Sequence, residues 1–337
     1  MRINEEENNH PKIDLKDKKI LYLLSEEGRI PLSLIAKKIR LGKDTVRYRI
    51  ERMIQKGIIE QFYPELNFKL LGYRVHRIFM LLDENEHSKY PELLKYLINH
   101  PHTRGVMEYS DKWDIEWKLI AWSLDEFEQI KSELMNRFSR LILDKISVPT
   151  VDTYYSSILP YEFPTLLVRE GKKPVMISKQ TPDELDLKIL RQLSIDARQS
   201  TYDIANNVPL SPDAIGLRIK RLLTSGIIRN FTILPNFSRL RHSWTTCAID
   251  LRLLTQAQEQ KLREFVLHHP QIVKADKTSG IFDIILYIIA DDSRIFHKTV
   301  KQIKAEFGMI MRNYETFPAY KEHFFSPMPK ILDKVRN

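Results

Sequence analysis

The amino-acid sequence repeats itself at one fixed offset, 186 − 17 = 169 residues. Asp17-Lys18-Lys19-Ile20-Leu21 returns as Asp186-Leu187-Lys188-Ile189-Leu190, and Ile35-Ala36 returns as Ile204-Ala205. Arg49-Ile50-Glu51-Arg52 returns as Arg218-Ile219-Lys220-Arg221, and Gly57-Ile58-Ile59 as Gly226-Ile227-Ile228. Farther on, Asn67-Phe68 maps onto Asn236-Phe237, His100-Pro101 onto His269-Pro270, Asp114-Ile115 onto Asp283-Ile284, and Pro149 onto Pro318. No gap is needed over roughly 145 residues, so the duplicated unit is a whole fold. Whatever this chain forms, it forms twice.

The length of 337 residues gives each copy enough chain to bury its own core. Lys and Arg outnumber Asp and Glu by 53 to 44, a net +9. That balance suits a polyanionic partner such as nucleic acid, and equally many proteins that bind none. The single cysteine, Cys247, excludes an intrachain disulfide framework and any cysteine cluster for metal, and its apolar surroundings predict a buried structural thiol. The segment Glu5-Glu6-Glu7-Asn8-Asn9 lacks the basic and then apolar pattern of a signal peptide, and no apolar run approaches the ~20 residues a membrane span needs. A soluble cytoplasmic protein with no membrane partner is expected.

Periodicity divides each copy into two parts. Apolar positions at helical spacing predict short helices over 17–26 and 31–40 and a third after Leu41-Gly42, with Val46, Ile50, Met53 and Ile54 on one stripe and Gly57 as its stop. Three short helices with a tight turn before the third make a helix-turn-helix, followed by a strand at 58–62 and a connector at 64–68. Strands over 75–82, 103–108, 113–121 and 146–155, with helices over 91–99 and 124–140, then give the βαββαβ order of a ferredoxin-like domain. The second copy repeats the order with strands over 244–251, 272–278, 282–290 and 311–324 and helices over 259–268 and 293–307. The expected fold class is α+β: a tandem repeat of winged helix-turn-helix plus ferredoxin-like βαββαβ domain. The expected domains are a disordered arm (1–12), a first winged helix-turn-helix (13–68) and ferredoxin-like domain (69–160), a Pro- and charge-rich linker (161–181), a second winged helix-turn-helix (182–237) and ferredoxin-like domain (238–329), and a disordered tail (330–337).

The third helix carries the strongest functional signal. Over 37–56 the charges are Lys37, Lys38, Arg40, Lys43, Arg47, Arg49, Arg52 and Lys56 against Asp44 and Glu51, a balance of 8 − 2 = +6. A helix fits the major groove of DNA, where its first residues reach base edges and flanking cations neutralise phosphates. Lys43, Asp44, Thr45, Arg47 and Tyr48 are therefore candidates for base contact, and Arg49 and Arg52 for the backbone. The corresponding helix of the second copy has 3 − 1 = +2, from Arg218, Lys220 and Arg221 against Asp213, with Gly216 in place of Arg47. It has the better start, Ser211 as N-cap and Pro212 at the first position. Ser211, Asp213, Arg218 and Arg221 are its candidates for DNA contact. It is either a reader with a different preference or a structural remnant.

These residues carry a resemblance. The opening Asp17, Ile20, Leu21 (and Asp186, Ile189, Leu190), the Arg-Ile-x-Arg block with Gly-Ile-Ile, and the hairpin Thr278-Ser279-Gly280-Ile281-Phe282-Asp283 are similar to the leucine-responsive, Lrp/AsnC or feast-famine, regulators. The resemblance spans nearly all of both copies. It implies a transcription factor that binds double-stranded DNA, ferredoxin-like domains that pair, and in many members an amino-acid or other small effector near that hairpin. A typical member has one copy, so this chain resembles a fused dimer, an intramolecular pseudo-dimer with scope for further homo-oligomerisation. Ser279, Gly280 and Asp283 are the effector candidates. In the first copy Ser110-Asp111-Lys112-Trp113-Asp114 lacks the glycine, and Asp283 or Asp114 is equally suited to capping its own hairpin.

The strands at the core of the two copies differ as well. Trp113, Ile115, Trp117, Leu119 and Ala121 alternate with Asp114, Glu116 and Lys118, which predicts a solvated face in the first copy. Residues 282–289 are apolar on both faces, which predicts a sheet covered on both sides by the first copy or by another chain.

Enzymatic readings find less support. Gly42-Lys43-Asp44-Thr45 lacks the glycine a phosphate loop needs at Lys37, and His100-Pro101-His102 and His268-His269-Pro270 lie at helix ends without a metal-ligand cluster. The subunits of sirohaem decarboxylase share the regulator-like architecture and are the enzymatic alternative by resemblance, but the Trp-Pro-Tyr-Asn-like segment with its nearby histidine is not found. No cofactor is expected.

Overall fold

The computed structural model describes residues 11–160 and 181–333. In the first copy the elements are α1 (Leu15–Glu26), α2 (Leu32–Ile39), α3 (Lys43–Gln55), β1 (Ile59–Leu66), β2 (Arg74–Leu82), α4 (Tyr90–Asn99), β3 (Thr103–Tyr109), β4 (Ile115–Ala121), α5 (Leu124–Phe138) and β5 (Ile142–Ser156). In the second they are α6 (Glu184–Ile195), α7 (Thr201–Ala205), α8 (Pro212–Thr224), β6 (Ile228–Pro235), β7 (Ser243–Leu251), α9 (Gln256–His268), β8 (Ile272–Thr278), β9 (Ile284–Ala290), α10 (Ser293–Phe307) and β10 (Met311–Phe325). Short 3-10 turns follow β2 and end the described chain. The elements gather into two compact units, and each draws on both copies.

The first unit pairs the two winged helix-turn-helix heads. β1 and β6 form a two-stranded antiparallel sheet with Phe62 opposite Ile233 and Pro64 opposite Phe231, so the segment expected as a connector over 64–68 continues the strand as far as Leu66. A two-stranded ribbon has only edge strands, where a proline without an N–H is tolerated. The pairing is closely symmetric. Gly28 N–H donates to Phe231 O (2.8 Å) and Ala197 N–H to Phe62 O (2.9 Å). Arg29 and Arg198 each lie 5.3 Å from a ring of the opposite head, Phe231 and Phe62. Each head keeps its own core, with Ile20, Leu21, Leu24, Ile35, Val46, Ile50 and Met53 buried in one and Ile189, Leu190, Leu193, Ile204, Ile215, Ile219 and Leu222 in the other.

The second unit is a closed eight-stranded barrel in the order β10-β3-β4-β2-β5-β8-β9-β7. It contains two ferredoxin-like sheets, β3-β4-β2-β5 and β8-β9-β7-β10, joined through their two longest strands. β5 pairs with β2 up to Pro149 and then with β8 from Thr150, while β10 pairs with β7 up to Pro318 and then with β3 from Ala319. The exchange removes the open edges that each sheet alone would expose. Outside the barrel, Ile78, Met80, Ile115, Trp117 and Leu119 form a core with α4 and α5, and Ile249, Ile284, Leu286 and Ile288 form the equivalent core with α9 and α10.

Three expectations are decided here, two of them against the sequence. The polar face of β4 is not solvated: Glu116 is fully buried, and Lys118 largely so, inside the barrel. Alternation separates a polar face from an apolar one without saying whether water or other charges meet it. Here the buried Arg77 binds Asp276, donates to the Tyr287 hydroxyl (3.0 Å) and lies 3.2 Å from Glu116. Lys118 and Lys274 add contacts of 3.1 Å to Glu116 and 3.0 Å to Asp276. Burial opposes ionisation of Asp276, but Lys274 and Arg77 outweigh it and hold the carboxyl below its usual range. Second, β9 is covered on both faces as expected, and the cover comes from the first copy, with Tyr287 meeting Arg77. Third, the chain after Pro327 does not fray at once. Leu332 is buried, and Arg191 of α6 donates to Met328 O (2.6 Å) and Asp333 (2.6 Å), so this segment packs on the helix-turn-helix unit. Nearly all of the arm at 1–12 and of the linker at 161–181 lies outside the described residues.

Candidate nucleic-acid interface

α2 ends at Arg40, whose φ of 56° places it in the left-handed region and turns the chain into Leu41-Gly42 and α3. Gly57 (φ 64°) and Gly226 (φ 78°) close α3 and α8 in the conformation glycine adopts most easily. α8 begins as expected, with the Ser211 hydroxyl accepting from Ala214 N–H (3.3 Å) and Pro212 in its first turn. α3 begins at Gly42 without a side-chain cap.

Arg49 and Arg52 are held inside the head rather than extended towards a ligand. Asp14 and Asp17 cap the start of α1 reciprocally, and the same carboxylates take Arg49 (2.8 Å to each) and Arg52 (2.6 Å to Asp17). The second head is identical in plan. Asp183 and Asp186 cap α6 and take Arg218 (2.7 and 2.8 Å), while Arg221 lies 2.5 Å from Asp186. Asp17 and Asp186 are buried, so each anchors two guanidinium groups where water competes little. Neither clamp was foreseen, although the repeat contained its signal: all four charged positions recur at the same offset, while most other basic positions of α3 do not.

With the clamp set apart, the two surfaces diverge further than the raw charge count. Lys37, Lys38, Arg40, Lys43, Arg47 and Lys56 face solvent beside Asp44 and Glu51, giving 6 − 2 = +4. Their repeat counterparts are Asn206, Asn207, Pro209, Pro212, Gly216 and Ser225, none of them charged. Only Lys220 and Asp213 remain in the equivalent count, 1 − 1 = 0. Of the base-facing candidates, Lys43, Asp44, Thr45, Arg47 and Tyr48 are all exposed along one end of α3, with Arg47 3.5 Å from Asp44 and Tyr48 63% exposed. At the position equivalent to Tyr48, α8 exposes Leu217.

The hairpin residues are also placed. Gly280 has φ +107° in the β8–β9 turn, and Ser279 N–H donates to Pro149 O (3.1 Å). The Asp283 carboxylate accepts from Leu251 N–H (2.7 Å), as Asp114 does from Leu82 N–H (2.6 Å). Both carboxylates therefore brace their own sheets. Among the described residues no group of three His, Cys, Asp or Glu could hold a metal ion, and no helix is long and apolar enough to cross a membrane. Cys247 is buried, and burial pushes its thiol up to about 12.

A family model for winged helix-turn-helix DNA-binding matches residues 13–60, and one for the AsnC-type helix-turn-helix domain matches residues 183–223. The HTH-type transcriptional regulator FL11 of Pyrococcus furiosus is 31% identical over 114 residues, 34% of this chain and 74% of the regulator. The chain belongs to the Lrp/AsnC family of transcriptional regulators. The regulator LysM of Saccharolobus solfataricus is likewise 31% identical, over 103 residues covering 31% of this chain and 70% of that protein. Such relatives align with less than half of this chain because, within the family, it carries two helix-turn-helix copies. At the level of fold, the crystal structure of the sirohaem decarboxylase NirDL matches over 93% of this chain and 94% of that one, with TM-score 0.61 and 12% identity. That likeness extends the tandem arrangement to both units without bearing on chemistry.

Proposed function

We propose that this Lrp/AsnC-family protein binds double-stranded DNA as a fused pseudo-dimer in which the first head supplies most of the affinity. The observation that carries this is the +4 solvent-facing surface of α2 and α3 beside a neutral counterpart on α7 and α8. In this reading Lys43, Thr45, Arg47 and Tyr48 reach base edges, Lys37, Lys38, Arg40 and Lys56 meet phosphates, and Arg49, Arg52, Arg218 and Arg221 hold the recognition helices in position. Two unlike heads on one chain suit an asymmetric operator. The chain acts as a binding protein and not as an enzyme. An amino-acid effector at Asp283 would share a carboxylate that already accepts from the Leu251 N–H.

Mobility-shift titrations of Lys43→Ala/Arg47→Ala across a salt series test the assignment. The slope of log K against log salt should become shallower by about 1 to 2, since each neutralised phosphate contributes about 0.9. An unchanged affinity and slope would overturn it. A Soret band shift on mixing the protein with an iron tetrapyrrole would instead favour the enzymatic alternative.

A further inference from the structure

The second head has lost solvent-facing charge but not its scaffold. α8 keeps its N-cap, its buried stripe of Ile215, Ile219 and Leu222, and the clamp of Arg218 and Arg221 on Asp183 and Asp186. A helix held this firmly in the same position as α3 is built to present a face. That face carries no net charge and has an apolar centre: Leu217 is 70% exposed and Tyr202 of α7 74% exposed, with Ala214 one turn before Leu217 and the exposed Asp213 and Lys220 to either side. At Gly216 the helix has no side chain at all. A Cβ there would find its nearest heavy atom, Thr201 Cγ2, at 3.8 Å, so nothing inside the head requires the glycine. Its effect is outward, letting the helix backbone approach whatever covers it.

We infer that α8 is a second DNA reader whose Leu217, with Ala214 beside it, packs against thymine methyl groups in the major groove, in a half-site bound with little phosphate contact. This rests on the first head binding DNA as proposed above. The two heads form one compact unit joined through β1 and β6, so α3 and α8 belong to one body and a single duplex-binding protein carries both helices. The thymine C5 methyl is the apolar feature of the major groove, and a leucine flanked by alanine and glycine complements it where an arginine would not. The first head grips and the second discriminates. Affinity from the second half-site is then nearly independent of salt.

Selection of bound duplexes from a random pool, followed by replacement of thymine by deoxyuridine in the enriched motif, tests this at the level of one methyl group. The motif should be asymmetric, with a thymine-bearing half-site opposite the charged one. Removing the critical methyl should weaken the wild-type protein about fourfold, the cost of one lost apolar contact, at every salt concentration. Leu217→Ala should lose a similar factor on the thymine duplex, keep the wild-type salt slope, and bind thymine and deoxyuridine duplexes equally. Leu217 is exposed, so this variant leaves the fold intact. Equal losses on deoxyuridine in both proteins, or none in either, would overturn the inference while leaving the first head's role standing. A shift in self-association of Leu217→Ala by sedimentation, with DNA binding unchanged, would assign the face to a second copy of the chain instead. Failure of the wild-type protein to enrich any duplex would overturn both readings.

Discussion

The two heads share a clamp and differ in almost everything outside it. Asp14, Asp17, Arg49 and Arg52 recur as Asp183, Asp186, Arg218 and Arg221 with the same bonds, whereas six solvent-facing basic residues recur as none. The contrast separates two uses of arginine that look alike in a sequence. Guanidinium groups that position a helix find buried carboxylates inside the domain, as Arg49 and Arg52 do in Asp17, whereas Arg47 has only the exposed Asp44 beside it. The barrel teaches the converse. Its buried charges have no symmetry at all, since Arg77, Glu116 and Lys118 correspond to Thr246, Ile285 and Tyr287, and Asp276 corresponds to Met107. In the heads symmetry marks structure. In the barrel asymmetry marks it, because Arg77 of one copy meets Asp276 of the other while Lys118 and Lys274 each join a carboxylate of their own copy.

The largest expected effect breaks the barrel's unlike pairing. Asp276→Asn takes from Arg77 one of its two buried carboxylates and should cost about 3 to 5 kcal/mol in chemical denaturation, while Met107→Leu at the counterpart position should cost less than about 1.5 kcal/mol. Equal losses would mean that the buried network does not hold the copies together. Next, Asp17→Ala and Asp186→Ala should each lower stability by about 2 kcal/mol, through lost capping and lost anchoring of two guanidinium groups. A loss confined to one head would show the clamps to be unequal.

Acid distinguishes the copies in a third way. Burial first, and then Arg74 and Arg77, push His76 down to about 4, and burial with His102 does the same to His100. The counterpart of His76 is Thr245, which does not titrate. A depressed histidine pKa means that the unfolded chain takes up protons first, so stability should be flat above pH 6.5 and fall between 6.5 and 4. His76→Thr should flatten that fall in melting-temperature measurements; an unchanged pH profile would remove His76 as its source. The smallest effect sharpens the contrast between the heads. Gly216→Arg should stabilise α8 by about 0.5 to 1 kcal/mol and steepen the salt slope of DNA binding by about 0.9. No change in slope would indicate that α8 faces away from the backbone.

Local periodicity made most of the fold legible. The strand over 272–278 and the helix over 293–307 fall where the pattern puts them, and the other helices and barrel strands shift by a few residues at their ends. Ser211 was recognisable as a cap because Ser-Pro at a helix start has a local cause. Long-range partnerships were not recognisable in the same way. Glu116 and Lys118 looked solvated because Asp276, which completes their network through Arg77, lies 199 residues beyond that arginine. Arg49 and Arg52 looked like DNA ligands because their carboxylates belong to a different helix. The strand through Pro64 was missed because its pairing partner lies in the other copy.

The exchanged strands also bear on how the protein is made. β3 receives its outer neighbour only from 319–325 of β10, and Arg77 leaves the ribosome 199 residues before Asp276. At about 5 to 20 residues per second, that interval lasts on the order of 10 to 40 s. Through it the first copy is a nascent chain with an open sheet edge and an Arg77 that lacks its carboxylate from the second copy. The barrel can close only after residues 319–325 have been translated, which makes the emerging first copy a natural client for chaperones.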